Sequence, residues 1–252
     1  MKGVLAALVP QARVIDLTHE IEPQSILQGA MVLQDSIHWF PRGSIHIAVV
    51  DPGVGTQRRL VAAEFDGQIV IGPDNGLLSS LAEDTPPTRI VHLNKPEYWS
   101  HVTSSTFHGR DIMAPIASHI ALGVQLESLG EPLLQLEPSL TQPVCRSAMN
   151  EIEGVTCVAD RFGNLLTNIR QRDLITSHNH DATGKWSIRL QKNESKGWTE
   201  VPFVKTYGDA KSGEVVALFG SAGRLEICVP NGNARELLGG VAFPLRVTKR
   251  DS

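Results

Sequence analysis

VVDPGVGTQRR, Val49 to Arg59, joins an apolar run to a glycine-rich turn with an acid at its start and two arginines at its end. The run it closes, Ser44–Val50, is nearly all apolar after His46, as expected of a strand covered on both faces. In open α/β sheets, ligands gather outside the carboxyl ends of strands, and Asp51 stands at such an end. Gly53 and Gly55 let the backbone approach a partner closely, or simply turn. A lone GxG is a weak phosphate signal, and neither a GxxxxGKS/T loop nor a GxGxxG fingerprint occurs. Taken alone, the stretch reads either as a ligand-facing loop or as a tight turn with a surface arginine pair.

Elements on either side of this strand alternate. Val14–Leu17 reads as a short strand, and Ser25 as the cap of a helix with Ile26, Ala30, Leu33 and Ile37 on one face. Leu60–Glu64 and Gln68–Gly72 read as a hairpin about Asp66-Gly67, a type I′ turn signal. A short helix is expected from Asn75 to Leu81, a strand over Arg89–Leu93, and a helix over Ile112–Leu122 ended by Gly123. The alternation predicts an α/β domain with a largely parallel, Rossmann-like sheet over residues 1–142. Pro132, Pro138 and Pro143 punctuate an aperiodic stretch that marks the boundary. Short strands then recur at Gly154–Ala159, Trp186–Leu190, Val201–Val204, Glu214–Leu218 and Leu225–Val229, which predicts an all-β, barrel-like domain over 143–252.

The totals narrow the function. A chain of 252 residues with 41% hydrophobic and 20% charged residues is globular, and a net charge of -4 points to no polyanion or membrane surface. No apolar run is long enough for a membrane span, and Pro10 cuts the opening segment too early for a signal peptide, so a cytoplasmic protein is expected. Cys145, Cys157 and Cys228 are odd in number and lack a CxxC, which argues against a disulfide framework or a cysteine zinc site. Asn193-Glu194-Ser195 matches a glycosylation sequon that carries no weight without a secretion signal. The histidines are dispersed, with no HExxH. The sets Asp16, His19, Glu20 and His46, Asp51, His92, His108, and the pair His178 and His180, are read as surface or core residues and not as a metal site.

Two further stretches hold candidate chemistry. In TFHGRDIMAP, Thr106–Pro115, His108 follows an aromatic and precedes a helix, where the positive end of the dipole favours a neutral imidazole. It could equally be a capped loop histidine. In DRFGN, Asp160–Asn164, an acid, an aromatic and an amide could bind an amine, a flat ring and a base edge, or could form an Asx turn around a core Phe.

Seven stretches taken in order, MKGVL, IDLTHEI, VVDPGVGTQRR, GPDNGLL, TFHGRDIMAP, DRFGNLLTNI, and SAGRLEI with NGNA, resemble the SAM hydroxide adenosyltransferases (SAM hydrolases), relatives of fluorinating and chlorinating enzymes. They run from Met1 to Ala234. The resemblance implies attack of water on C5′ of S-adenosyl-L-methionine (SAM), giving adenosine and L-methionine, with SAM as substrate and no cofactor. It implies a triad at Asp51, Arg58 and His108, with Arg59 a neighbour. It implies substrate contacts from Phe107 at the ribose, Asp160 and Ser221 at the methionine end, Phe162 and Asn164 near the adenine, and Glu226, Val229 and Ala234 in a second adenosine-contacting segment. It also implies a homotrimer that binds SAM between subunits, with neither nucleic acid nor membrane as partner. The halogenating relatives lack the DPGVG acid and carry Tyr-Ser where this chain has His108-Gly109, which favours water as nucleophile.

The chain departs from the pattern at its start. Family members place a strand with a ribose-gripping aspartate ahead of MKGVL, and Asp16 is not that residue. Gln24-Ser25 replaces an aromatic of the halogenases, and Ala222 stands where they carry arginine. The expectation is a start site placed too late. The alternatives are a catalytically impaired SAM- or adenosine-binding oligomer, and a halogenase-like enzyme.

Overall fold

The computed structural model describes residues 1–148, 151–174, 186–191 and 197–249. His178, His180 and the Asn193 sequon lie outside the described residues. The chain forms two compact units, Met1–Leu140 and Thr141–Ser252.

The first unit runs α1 (Lys2–Leu8), α2 (Ile26–Ser36), β1 (Ile45–Ile47), β2 (Leu60–Phe65), β3 (Gln68–Pro73), β4 (Arg89–His92), α3 (Ala114–Ala121) and β5 (Glu131–Pro132). The strand order is β1-β3-β2-β4-β5. Alternation along β2 explains its two buried faces. Leu60 and Ala62 pack with Ile112, Met113 and Ile116 beneath α3, while Val61, Ala63 and Phe65 pack with Ala30 and Leu33 of α2. Burying the larger of these, the Leu, Ile, Val, Met and Phe side chains, contributes about 1.5–3 kcal/mol each relative to exposure.

The expected largely parallel sheet does not form. Only β1–β3 is parallel, whereas β2–β3, β2–β4 and β4–β5 are antiparallel. Apolar runs report helices on both faces and say nothing of strand direction. Direction here follows the hairpin turn, where Asp66 (φ 45°) and Gly67 (φ 72°) take the left-handed pair that a type I′ turn requires. The Val14–Leu17 strand is also absent, because among the described residues no neighbouring strand pairs with it and its apolar side chains stay exposed. Ser25 precedes α2, but its hydroxyl makes no capping bond. The helix expected from Asn75 shrinks to a 3-10 turn, Ser79–Glu83.

The second unit runs β6 (Cys145–Ala148), β7 (Glu151–Ala159), β8 (Leu165–Arg170), β9 (Trp186–Gln191), β10 (Trp198–Val201), β11 (Val216–Phe219), β12 (Arg224–Cys228), α4 (Ala234–Leu238) and β13 (Pro244–Lys249). The order β10-β9-β13-β7-β8-β12-β11 is antiparallel throughout. Phe203, two residues past β10, then bridges to Ala217 of β11, so the first and last strands meet and the sheet nearly closes. That bridge replaces the expected Val201–Val204 strand. Ile188, Leu190, Leu225, Ile227, Leu245 and Val247 fill the interior.

Candidate active site

The expected Ser44–Val50 strand is shortened to Ile45–Ile47, so Asp51 lies in the loop beyond it, and that loop and the His108 segment meet in the first unit. Val54 N–H bonds to the Asp51 carbonyl, and Thr56 bonds to the Gly53 carbonyl through both N–H and hydroxyl, so the loop curls back on itself. Gly55 sits at φ 80°, and a methyl group there would lie 2.7 Å from the Ser105 carbonyl oxygen. Glycine at that position lets the two loops touch. On the far side, Asp111 accepts the Ser104 N–H at 2.8 Å and is gripped by Arg110, whose guanidinium lies 4.8 Å over the Phe107 ring. The chain enters α3 through a π-helical turn, Gly109–Met113, with His108 as its cap. Such turns cluster at functional sites.

Within this frame Asp51, Arg58 and His108 come together. Arg58 Nε donates to Asp51 Oδ1 at 2.8 Å and Oδ2 at 3.0 Å, and Nη2 donates to Oδ2 at 2.5 Å. The same Nη2 reaches His108 Nδ1 at 2.8 Å. The Arg58 and Asp51 side chains are only 11% and 6% exposed, so each charge is neutralised by the other and not by water. An arginine is always a donor, so His108 Nδ1 must accept, and a neutral ring then carries its proton on Nε2. Burial, then the Arg58 charge, hold the imidazole pKa below its usual value against opposing pulls from Asp51 and Asp111. Phe107, half-exposed, flanks this cluster in sequence.

In the second unit the sequence-predicted residues divide. Asp160 Oδ1 accepts the N–H groups of Phe162 and Asn164 at 2.8 and 2.9 Å, and Oδ2 accepts Asn164 Nδ2 at 2.9 Å. The carboxylate thus builds its own loop, an Asx-type turn, and presents Phe162, 76% exposed. Gly163 (φ 84°) lies against the Asn233 side chain, and Arg235 N–H bonds to its carbonyl at 3.0 Å, which docks this loop on the start of α4. Ser221 is exposed at the β11–β12 turn. Val229 and Ala234 are buried in the barrel core, so any ligand contact there is through backbone. Glu226 packs against Gly220 and accepts the Tyr207 hydroxyl at 3.0 Å. Tyr207 escaped sequence reasoning because no motif marks it. Its position on a turn closed by Thr206 and Asp209 was the available signal.

Among the described residues, no three His, Cys, Asp or Glu side chains converge as metal ligands would. His46 instead bonds to Gln68 at 2.9 Å and stacks edge-on to Phe40.

Comparison with known proteins follows this geometry. Residues 1–130 match the SAM hydroxide adenosyltransferase N-terminal domain and 154–241 the corresponding C-terminal domain. The (R)-S-adenosyl-L-methionine hydrolase of Thermus thermophilus is 36% identical over 95% of this chain and 89% of that protein. A fluorinase of Actinopolyspora mzabensis is 25% identical over 90% of this chain and 83% of that protein. The crystal structure of an uncharacterized conserved protein from Thermotoga maritima superposes with a TM-score of 0.85 at 31% identity, covering 98% of this chain and 93% of that one. The chain belongs to the SAM hydroxide adenosyltransferase family.

Proposed function

We propose that this protein hydrolyses S-adenosyl-L-methionine to adenosine and L-methionine. The observation that carries the reading is the single guanidinium, Arg58, that binds Asp51 with one edge and His108 with the same nitrogen. Four relatives named (R)-S-adenosyl-L-methionine hydrolase, each 36% identical, support the substrate.

The chemistry suits that arrangement. One lone pair of water forms the O–C5′ bond as the C5′–S bond breaks and its electron pair returns to sulfur. Methionine departs as a neutral thioether, so no acid is required. The alkyl oxonium left on C5′ is a strong acid that sheds its proton to solvent. The difficulty is orientation, and an in-line, near-attack water is worth several powers of ten in rate. In this reading the Nε2–H of His108 holds the water's other lone pair, Arg58 fixes the imidazole, and Asp51 fixes Arg58. Phe107 walls the ribose, the Asp160 loop with Phe162, Asn164 and Ser221 receives substrate, and Glu226, Val229 and Ala234 line the adenosine. No cofactor or metal takes part. The protein acts as a cytoplasmic homotrimer.

The decisive assay is purified protein with SAM in ¹⁸O-labelled water. Adenosine bearing one ¹⁸O at its 5′-hydroxyl, together with methionine and at an unchanged rate in EDTA, is expected. Bound SAM without either product would instead identify a binding oligomer, and a 5′-halo-adenosine in chloride or fluoride would identify a halogenase. Light scattering that gives any mass other than three chains overturns the trimer.

A further inference from the structure

The loop between Asp51 and Arg58 is tied down at both ends by two consecutive residues that the mechanism does not use. Asn75 Nδ2 donates to the carbonyl of Val50, the residue before Asp51, at 3.0 Å. Asp74 Oδ2 accepts Arg59 Nε and Nη2, from the residue after Arg58, at 2.9 and 2.6 Å. The Asp74 N–H also donates to the Arg59 carbonyl at 2.9 Å. Asp74 is held in turn, its Oδ1 accepting Glu137 N–H at 2.8 Å, and its side chain is 1% exposed against 34% for Arg59. We propose that Asp74 and Asn75 are the positioning residues of this site: they clamp the two ends of the 51–58 loop and so set the reach of the Arg58 guanidinium to His108.

The geometry explains why a clamp outside the triad controls its aim. Arg58 and Arg59 immediately precede β2, and their guanidinium groups take different partners, Asp51 for Arg58 and Asp74 for Arg59. The fork that pins Arg59 to buried Asp74, together with the backbone bond from Asp74 N–H to the Arg59 carbonyl, fixes the stretch from which Arg58 reaches Asp51. Asn75 fixes the second coordinate by holding Val50, which places the Asp51 carboxylate. Asn75 Oδ1 also accepts Leu77 N–H at 3.2 Å, which shapes the local turn and orients the amide. The groups that face His108 are Arg58, Asp51 and Asp111, and Asp111 is occupied by Arg110 and Ser104. Of these, Arg58 and Asp51 are the groups the clamp places, and Arg58 is the one in hydrogen-bond contact with the ring.

The test rests on the SAM hydrolysis reading for its kinetics and is independent of it for its spectroscopy. Asn75→Asp keeps the acceptor for Leu77 N–H but sets a carboxylate oxygen against the Val50 carbonyl. It should lower kcat about tenfold to a hundredfold, with the Kd for SAM by calorimetry near that of the parent protein. The His108 ring resonances, followed by NMR, should titrate at higher pH, closer to the ordinary value of 6.5, because Arg58 no longer presses on Nδ1. Arg59→Lys, at a half-exposed position, removes the fork while keeping the charge and should move kcat and the titration in the same direction by less. Parental kcat together with an unmoved His108 titration in Arg59→Lys overturns the clamp, even where Asn75→Asp fails to fold. So does a loss confined to SAM affinity. Should the parent release no adenosine, the hydrolase reading fails alone, and the titration still decides the clamp.

Discussion

The triad loop of the first unit and the DRFGN loop of the second place charge in opposite ways. In the first, the Asp51 carboxylate is spent on another side chain, Arg58, and its alignment serves a third, His108. In the second, the Asp160 carboxylate is spent on its own loop, and what that loop offers outward is an aromatic ring. One region is built to hold three side chains in fixed register. The other is built to present a surface. An acid in the loop that follows a strand can do either, and only its hydrogen-bond partners tell which.

That contrast can be broken experimentally. Arg58→Ala should have the largest effect, lowering kcat at least about a hundredfold. It should also cost about 3–5 kcal/mol of stability in urea unfolding, because the Asp51 charge is left buried and unpaired. A variant with parental turnover would remove Arg58 from the chemistry. Asp160→Ala should act on the other side of the comparison. Three donors lose their acceptor, so SAM affinity should weaken by about tenfold, roughly one charge-assisted hydrogen bond, while kcat at saturation holds. A fall in kcat with unchanged affinity would show that this loop takes part in the reaction step.

Gly55→Ala sharpens the point from the backbone. The φ of 80° and the nearby Ser105 carbonyl predict a loss of about 1–3 kcal/mol in unfolding free energy, read from urea denaturation. The smallest effect is in pH. His108 in the folded protein protonates below 6.5, the ordinary value that the unfolded chain retains. The unfolded state therefore binds more protons between those two values. This contribution to stability is complete above pH 6.5 and declines as pH falls through the folded value. His46, lowered mainly by burial, adds with the same sign. Urea midpoints measured at about pH 7.5 and about pH 5.5 should differ less in His108→Ala than in the parent, and an equal difference would refute the assignment.

Punctuation in the sequence drew attention to Asp51, the glycines that follow it and His108 before a helix, but it left a bland turn open at each, and the family resemblance named the three together. Asp51 lies four residues past the end of β1, in the loop and not at the strand's edge. The parallel sheet was misread because apolar runs report covering helices, while direction comes from a two-residue turn. Strands β8 and β13 were missed: Thr167, Asn168 and Arg170 interrupt one, and Pro244 opens the other. Val229 and Ala234 carry a family motif, yet their side chains belong to the core, so the motif names positions and only the fold shows that backbone is what they offer. Asp74 and Asn75 left no signal of their role, since a clamp is visible only when both ends of a loop are seen at once.

Gly163 and Asn233 lie far apart in the chain but share one space. Any side chain at 163 would overlap the Asn233 amide, whose oxygen accepts Glu236 N–H at the head of α4. Position 163 also has a φ of 84°, which side chains rarely adopt, so space alone does not free it. A library that randomises both positions should therefore return glycine at 163 in nearly every folded clone, whatever stands at 233.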